Sequence, residues 1–146
     1  MSAKLVLNTN AMQDDFFSDA ALIGIVSALP AYRFCWLLNE HFDWQLKREG
    51  ESDICLKTSQ NISYYFALYR YHAKTSSNEY SLYQLKNNKQ ALLPELKQLD
   101  FILMIKCQDA ETEAEIYIDA LRKISEVQLA QIIKPEKLKN IDYLLV

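Results

Sequence analysis

The chain reads as an α+β protein: a largely antiparallel sheet with two main helices on one face. Three observations predict it. Short apolar runs, alternating or unbroken and rich in Ile, Val, Tyr and Phe, recur between Ala20 and Ile133. Two segments, Ala31 to Phe42 and the stretch after Asp109, lack helix breakers and carry apolar residues in helical patterns. The order is strand, helix, several hairpin-connected strands, then strand, helix, strand, and this closing unit fits half of a ferredoxin-like arrangement.

Lys4 to Asn8 reads as a short strand, and Asn10 to Asp19, with three acids and no period, as a loop. Ala20 to Ser27 is ambiguous between buried strand and helix; its β-branched residues favour the strand. Pro30 suits the first turn of a helix running Ala31 to Phe42, whose apolar residues nearly encircle it and predict cover on more than one side. Trp44 and Leu46 alternate with Gln45 and Lys47, so Asp43 to Glu49 reads as a strand ending at Gly50.

Ser63 to His72 has the clearest strand alternation, with Tyr64, Phe66 and Leu68 on one parity and Tyr65, Ala67, Tyr69 and Tyr71 on the other. Polar Lys74 to Asn78 turns the chain, and Glu79 to Lys86 returns as its hairpin partner. Phe101 to Ile105 is unbroken apolar sequence, as expected of a strand buried on both faces. Asp109 is placed to cap a helix with the stripe Ala110, Ala114, Tyr117, Leu121 and Ile124, and its charge order, Glu first and Arg122 and Lys123 last, suits the helix dipole. Val127 to Ile133 is a strand, followed by a short helical turn over Lys134 to Asn140.

At 146 residues, with half of them hydrophobic and no linker rich in Gly, Pro or Ser, residues 1–146 are expected to form one domain. Only two glycines, Gly24 and Gly50, are present, which rules out a glycine-rich phosphate loop. A net charge of −3 offers no general cationic field for nucleic acid. Tyr64 to His72, interleaved with Arg70, could stack on bases but lacks the glycines of the RNA-recognition signature. Cys35, Cys55 and Cys107 are odd in number, scattered and apolar-flanked, which predicts free, packed thiols in a reducing compartment. The start has too short an apolar run for a secretory signal, and no stretch has the length of a membrane span, so the expected location is cytoplasmic.

Leu93-Pro94-Glu95-Leu96-Lys97-Gln98-Leu99-Asp100-Phe101 is an apolar residue, Pro-Glu, three variable positions, then apolar-Asp-aromatic. It resembles the signature of the IPExxxVDY family, small bacterial proteins, with Leu93, Leu99 and Phe101 as class-preserving replacements of its Ile, Val and Tyr. Leu22-Ile-Gly-Ile25, Tyr32-Arg33, Trp36 and Asn39 are similar to the family's amino-terminal block. The resemblance implies no particular activity or cofactor.

Physically, Pro94 forces Leu93 out of the helical region, so the chain arrives extended, turns through Glu95 to Gln98, and leaves as a strand at Phe101. Leu96 and Leu99 are expected inside and Lys97 and Gln98 outside. Glu95 and Asp100 either accept hydrogen bonds from turn N–H groups or form a carboxylate pair facing a cleft, for which no histidine or third carboxylate is suitably spaced. Arg33 and Asn39 are polar residues on an apolar helix; a buried Arg33 would need an acid, and the Leu93 to Phe101 segment has two. Arg33, Asn39, Glu95 and Asp100 are therefore the candidate binding residues. His41 and His72 lack partners at metal-ligand spacing, so neither a metal nor any other cofactor is expected. The function that fits is a non-enzymatic interaction or adaptor domain that binds a protein partner or its own copies; the alternative is a small-molecule-binding regulatory module of ferredoxin-like shape.

Overall fold

The computed structural model of the chain describes residues 17–49, 53–135, 138 and 144. The strand expected at Lys4 to Asn8, most of the Asn10 to Asp19 loop and most of the final helical turn lie outside the described residues.

β1 (Ala20–Val26) leads into helix α1 (Ala31–Phe42), then come β2 (Lys47–Arg48), β3 (Ile54–Lys57), β4 (Ser63–Phe66), β5 (Leu68–His72) and β6 (Glu79–Gln84). A small hairpin of β7 (Lys86–Asn87) and β8 (Gln90–Ala91) precedes a 3₁₀ turn (Pro94–Leu96), and β9 (Phe101–Lys106), helix α2 (Ala110–Arg122) and β10 (Leu129–Ile133) complete the series. Six strands form one sheet in the order β10-β1-β9-β6-β5-β2, and every neighbouring pair is antiparallel. The fold is α+β.

β9 and β10 both run antiparallel to β1 and flank it, so they are parallel to each other with β1 inserted between them. β1 and β6 flank β9 in the same way. The two helical connections therefore make interleaved split β-α-β units, the ferredoxin-like topology, with β2 to β5 inserted between α1 and β6. Strand alternation sorts the core in two. Ile23, Ile25, Leu82, Leu103 and Ile105 share a cluster with Phe34 and Leu38 of α1 and Ala114, Ile118 and Leu121 of α2. Leu22, Tyr83, Ile102 and Met104 face the other way and share a second cluster with Leu92, Leu93, Leu96 and Leu99. Both helices thus cover one face, and the irregular Leu92 to Leu99 segment together with Ile54 and Phe66 of β3 and β4 covers the other.

Several elements depart from the sequence expectation. Pro30 is the N-cap rather than part of the first turn, extended at φ −64°, ψ 157°, and its carbonyl accepts the first helical N–H groups, from Arg33 and Phe34. Asp109 precedes α2 but makes no side-chain cap; its carbonyl accepts Glu113 N–H, and the dipole is met by Glu111 and Glu113 instead. The long strand expected over Ser63 to His72 breaks at Ala67, because the Gln84 side-chain Oε1 takes the Ala67 N–H at 2.9 Å in place of a ladder partner. β4 then pairs with β3 in a separate two-stranded sheet. The alternation survives the break, since Phe66 and Leu68 still pack on the second face and Ala67 and Tyr69 on the helix face.

Candidate functional site

The Leu93 to Phe101 segment is a corner. Leu93 is extended (φ −117°, ψ 100°), Pro94 opens one turn of 3₁₀ helix, and Leu96 N–H and Leu99 N–H close successive turns onto the carbonyls of Leu93 and Leu96. Leu93, Leu96, Leu99 and Phe101 are buried while Lys97 and Gln98 are exposed, as the apolar spacing predicts. Leu99 lies over Gly24 on β1: a Cβ at Gly24 would stand 2.5 Å from Leu99 Cδ1 and 3.0 Å from Ile133 Cγ1. The glycine is there for close approach, and it lets the Leu93 to Phe101 segment seat on β1.

Asp100 fastens this corner to the end of β1. Its Oδ2 accepts Ser27 N–H at 3.0 Å, its Oδ1 lies 3.3 Å from Lys86 Nζ, its N–H donates to Ile25 O, and its carbonyl accepts Leu85 N–H. Ser27, itself buried, donates its hydroxyl to Glu126 O at 2.8 Å. Around these residues opens a cleft of about 260 Å³, lined also by Pro30, Gln84, Phe101 and Gln128. The Gln84 amide holds Ala67 N–H and donates to Lys86 O. These polar groups are thus engaged in holding segments of the chain together. Glu95 is half-buried on the 3₁₀ turn and is not among the residues lining this cleft.

Asn39 performs a second clamp. Its side-chain Oδ1 accepts Leu46 N–H at 2.9 Å and its Nδ2 donates to Leu46 O at 3.1 Å, so the carboxamide satisfies both peptide groups of one residue as a neighbouring strand would. This is why the strand expected over Asp43 to Glu49 shrinks to Lys47–Arg48: Trp44 and Leu46 are buried as the alternation requires, but α1 supplies the partner for Leu46. Asp43, in the left-handed region at φ 54°, reverses the chain at the end of α1.

Arg33 differs most from expectation. It is exposed, with no ion pair among the described residues, and it does not reach the corner's acids. Helix α1 buries only Phe34, Cys35 and Leu38, leaving Tyr32 69% and Trp36 61% exposed, so among the described residues the expected cover on more than one side is not found. Tyr32, Arg33 and Trp36 line a shallow, mostly apolar depression. The four candidate residues therefore do not converge: Asn39 and Asp100 are clamps, Glu95 belongs to the corner, and Arg33 faces outward. Positions 32 and 36 lie one turn apart and opposite 34 and 38, so the spacing shows that the aromatic pair shares a face, and the packing of Phe34, Cys35 and Leu38 makes that face the outward one.

The other chemically active side chains are dispersed. Cys35 is buried, its thiol donating to Leu46 O at 3.6 Å, and burial pushes its pKa up to about 11. Burial also raises the Cys107 pKa. Cys55, expected to pack, is instead exposed on β3, whose other side supplies the buried Ile54. All three thiols are free. Among the described residues no three His, Cys, Asp or Glu side chains gather to hold a metal. Trp44, Tyr80, Tyr117 and Phe42 form an aromatic cluster on the helix face, with the Tyr80 and Tyr117 hydroxyls 3.3 Å apart; burial, chiefly, raises the Tyr117 pKa. On the second face Tyr83 donates its hydroxyl to Leu144 O at 2.9 Å, and burial raises its pKa too. Comparison of the chain with family models, curated proteins and solved structures returned no match.

Proposed function

We propose that this protein is a non-enzymatic interaction domain that recognises a protein surface through the outer face of α1. The observation carrying this reading is the depression formed by Tyr32, Arg33 and Trp36, with both rings more than half exposed. Tyr, Trp and Arg are the side chains that most often dominate binding energy at protein interfaces. A folded chain gains little from leaving two large rings in water, and a partner that covers them gains much. By contrast, the polar atoms around Asp100 are already committed to the fold, which argues against acid–base work there.

The resemblance of Leu93 to Phe101 to the IPExxxVDY signature fits the same reading, with the signature acting as a structural corner that holds the sheet's second face. The proposed setting is the cytoplasm, where Cys55 would stay reduced. No helix among the described residues is long and apolar enough to cross a membrane. The test compares what immobilised wild type and a Tyr32→Ala/Trp36→Ala double variant retain from a lysate of the native cell. The expected result is at least one protein, the chain itself included, held by the wild type and lost by the folded variant. Identical retention by both would overturn the assignment of this face.

A second reading is a small-molecule-binding regulatory module. It is favoured by the cleft beside Ser27, Lys86 and Gln128, which opens next to the first turn of α1. A metabolite panel that raises the melting temperature of the wild type and not of a Gln128→Ala variant would support it; a uniformly flat panel would count against it.

A further inference from the structure

The charges flanking the aromatic pair narrow the partner. Arg33 and Glu40 are both exposed, opposite in sign and seven residues apart, which returns a helix to within about 20° of the same face after two turns. Neither makes an ion pair among the described residues. Trp36 lies between them on that face, Tyr32 beside it, and half-buried Leu37 borders the stripe on the side toward the core.

Such a stripe is complementary to its own reverse. When two copies of α1 pack antiparallel about a two-fold axis passing between positions 36 and 37, Arg33 of each copy faces Glu40 of the other, and each Trp36 meets the other copy's Trp36 and Leu37. The symmetry repeats every favourable contact, which an isologous interface requires. The net charge of −3 per chain opposes this only weakly. We propose that the occupant of this face is a second copy of the chain, giving a two-fold dimer through antiparallel α1 helices; the proposal rests on the interaction reading above and names its partner. A contact one helix wide belongs to the small end of interface sizes, so the dimer is expected to be concentration-dependent rather than permanent.

The test is sedimentation equilibrium from about 5 μM to about 500 μM, spanning the affinities expected of a small interface. Wild type is expected to pass from monomer to dimer over this range. Trp36→Ala should weaken association about tenfold or more, as removal of a central aromatic anchor does. Arg33→Glu and Glu40→Arg should each weaken it, because each sets like charges against each other twice across the axis. An equimolar mixture of those two variants should recover association, since every facing pair is again opposite in charge; the double variant Arg33→Glu/Glu40→Arg should recover it as well. All these positions are exposed, and unchanged urea midpoints confirm that folding is unaffected. A wild type that stays monomeric throughout overturns the proposal, as does a dimer indifferent to the reversals or a mixture that fails to recover. A monomeric wild type that still retains a different protein through Tyr32 and Trp36 overturns the dimer while leaving the interaction reading intact.

Discussion

On the helix face of the sheet, Ile23, Leu82 and Leu103 are covered by side chains that recur at regular helical spacing along α1 and α2. On the opposite face, Leu22, Ile102 and Tyr83 are covered by Leu92, Leu93, Leu96 and Leu99, from a segment containing only one turn of 3₁₀ helix. Both faces bury side chains completely, yet they do so by different means. A helix fills its own backbone hydrogen bonds and needs only an apolar stripe; an irregular cover must find a partner for each buried peptide group. That is the task of Asp100, of the successive 3₁₀ bonds from Leu96 and Leu99, and of Gly24, which lets the cover approach the strand.

The sharpest way to break the second face is Leu99→Asp. A carboxylate buried against β1 without a partner should cost about 4 kcal/mol or more, while the exposed neighbour Lys97→Asp should change stability by no more than about 0.5 kcal/mol. Urea unfolding of both variants measures the difference, and matching midpoints would show that the corner does not cover the sheet.

Next in size is Gly24→Ala, expected to cost about 1–3 kcal/mol because the new methyl overlaps the Leu99 and Ile133 side chains. Combining it with Leu99→Val, which removes one carbon at the contact, should give less than the sum of the two single costs. Ile23→Val, one residue away but on the helix face, should cost about 0.5–1.5 kcal/mol and add independently to Leu99→Val. Coupling to Leu99 from both positions alike would erase the distinction between the faces.

The two clamps offer a finer comparison. Asn39→Ala leaves the N–H of buried Leu46 without its partner and its carbonyl with only the Cys35 thiol, and should cost about 1–3 kcal/mol, whereas Asp100→Ala frees the Ser27 N–H and removes a partly solvated ion pair and should cost about 1–2 kcal/mol. Only the Asp100 variant should lose part of its effect at high salt.

The smallest effect is a dependence on alkaline pH. Tyr83 on the second face and Tyr117 on the helix face both have raised pKa values, chiefly through burial. A raised pKa means the folded state keeps a proton that the unfolded state releases. The associated stability is therefore complete below the ordinary tyrosine value of about 10 and declines as pH rises above it. Tyr83→Phe and Tyr117→Phe should each flatten the decline measured by urea unfolding between about pH 9 and 11. A decline unchanged in both variants would assign it to other groups.

Much of this structure was legible in the residues. The bounds of α1, the run of β9, the alternation through Phe66 to Tyr69 and the inside–outside order of Leu96 to Leu99 all follow from period and β-branching, which are local properties. The break at Ala67 and the shortened strand near Leu46 were not legible, because in each a side-chain amide from elsewhere, Gln84 or Asn39, replaces a strand neighbour. Nothing in the local sequence distinguishes an amide that faces water from one that substitutes for a peptide.

The same division runs through the candidate site. Sequence alone determined that Arg33, Asn39, Glu95 and Asp100 stand out as polar residues in apolar surroundings, and that the Leu93 to Phe101 segment turns the chain into a strand. Only the tertiary structure decided that Asp100 binds Ser27, that Asn39 binds Leu46, and that Arg33 faces outward beside Tyr32 and Trp36. The reason is that periodicity shows which residues share a face of a helix, while which face meets the core depends on what the rest of the chain packs against it. In α1 both faces are apolar enough to be buried; the sheet takes Phe34, Cys35 and Leu38, and the aromatic pair is left for another surface.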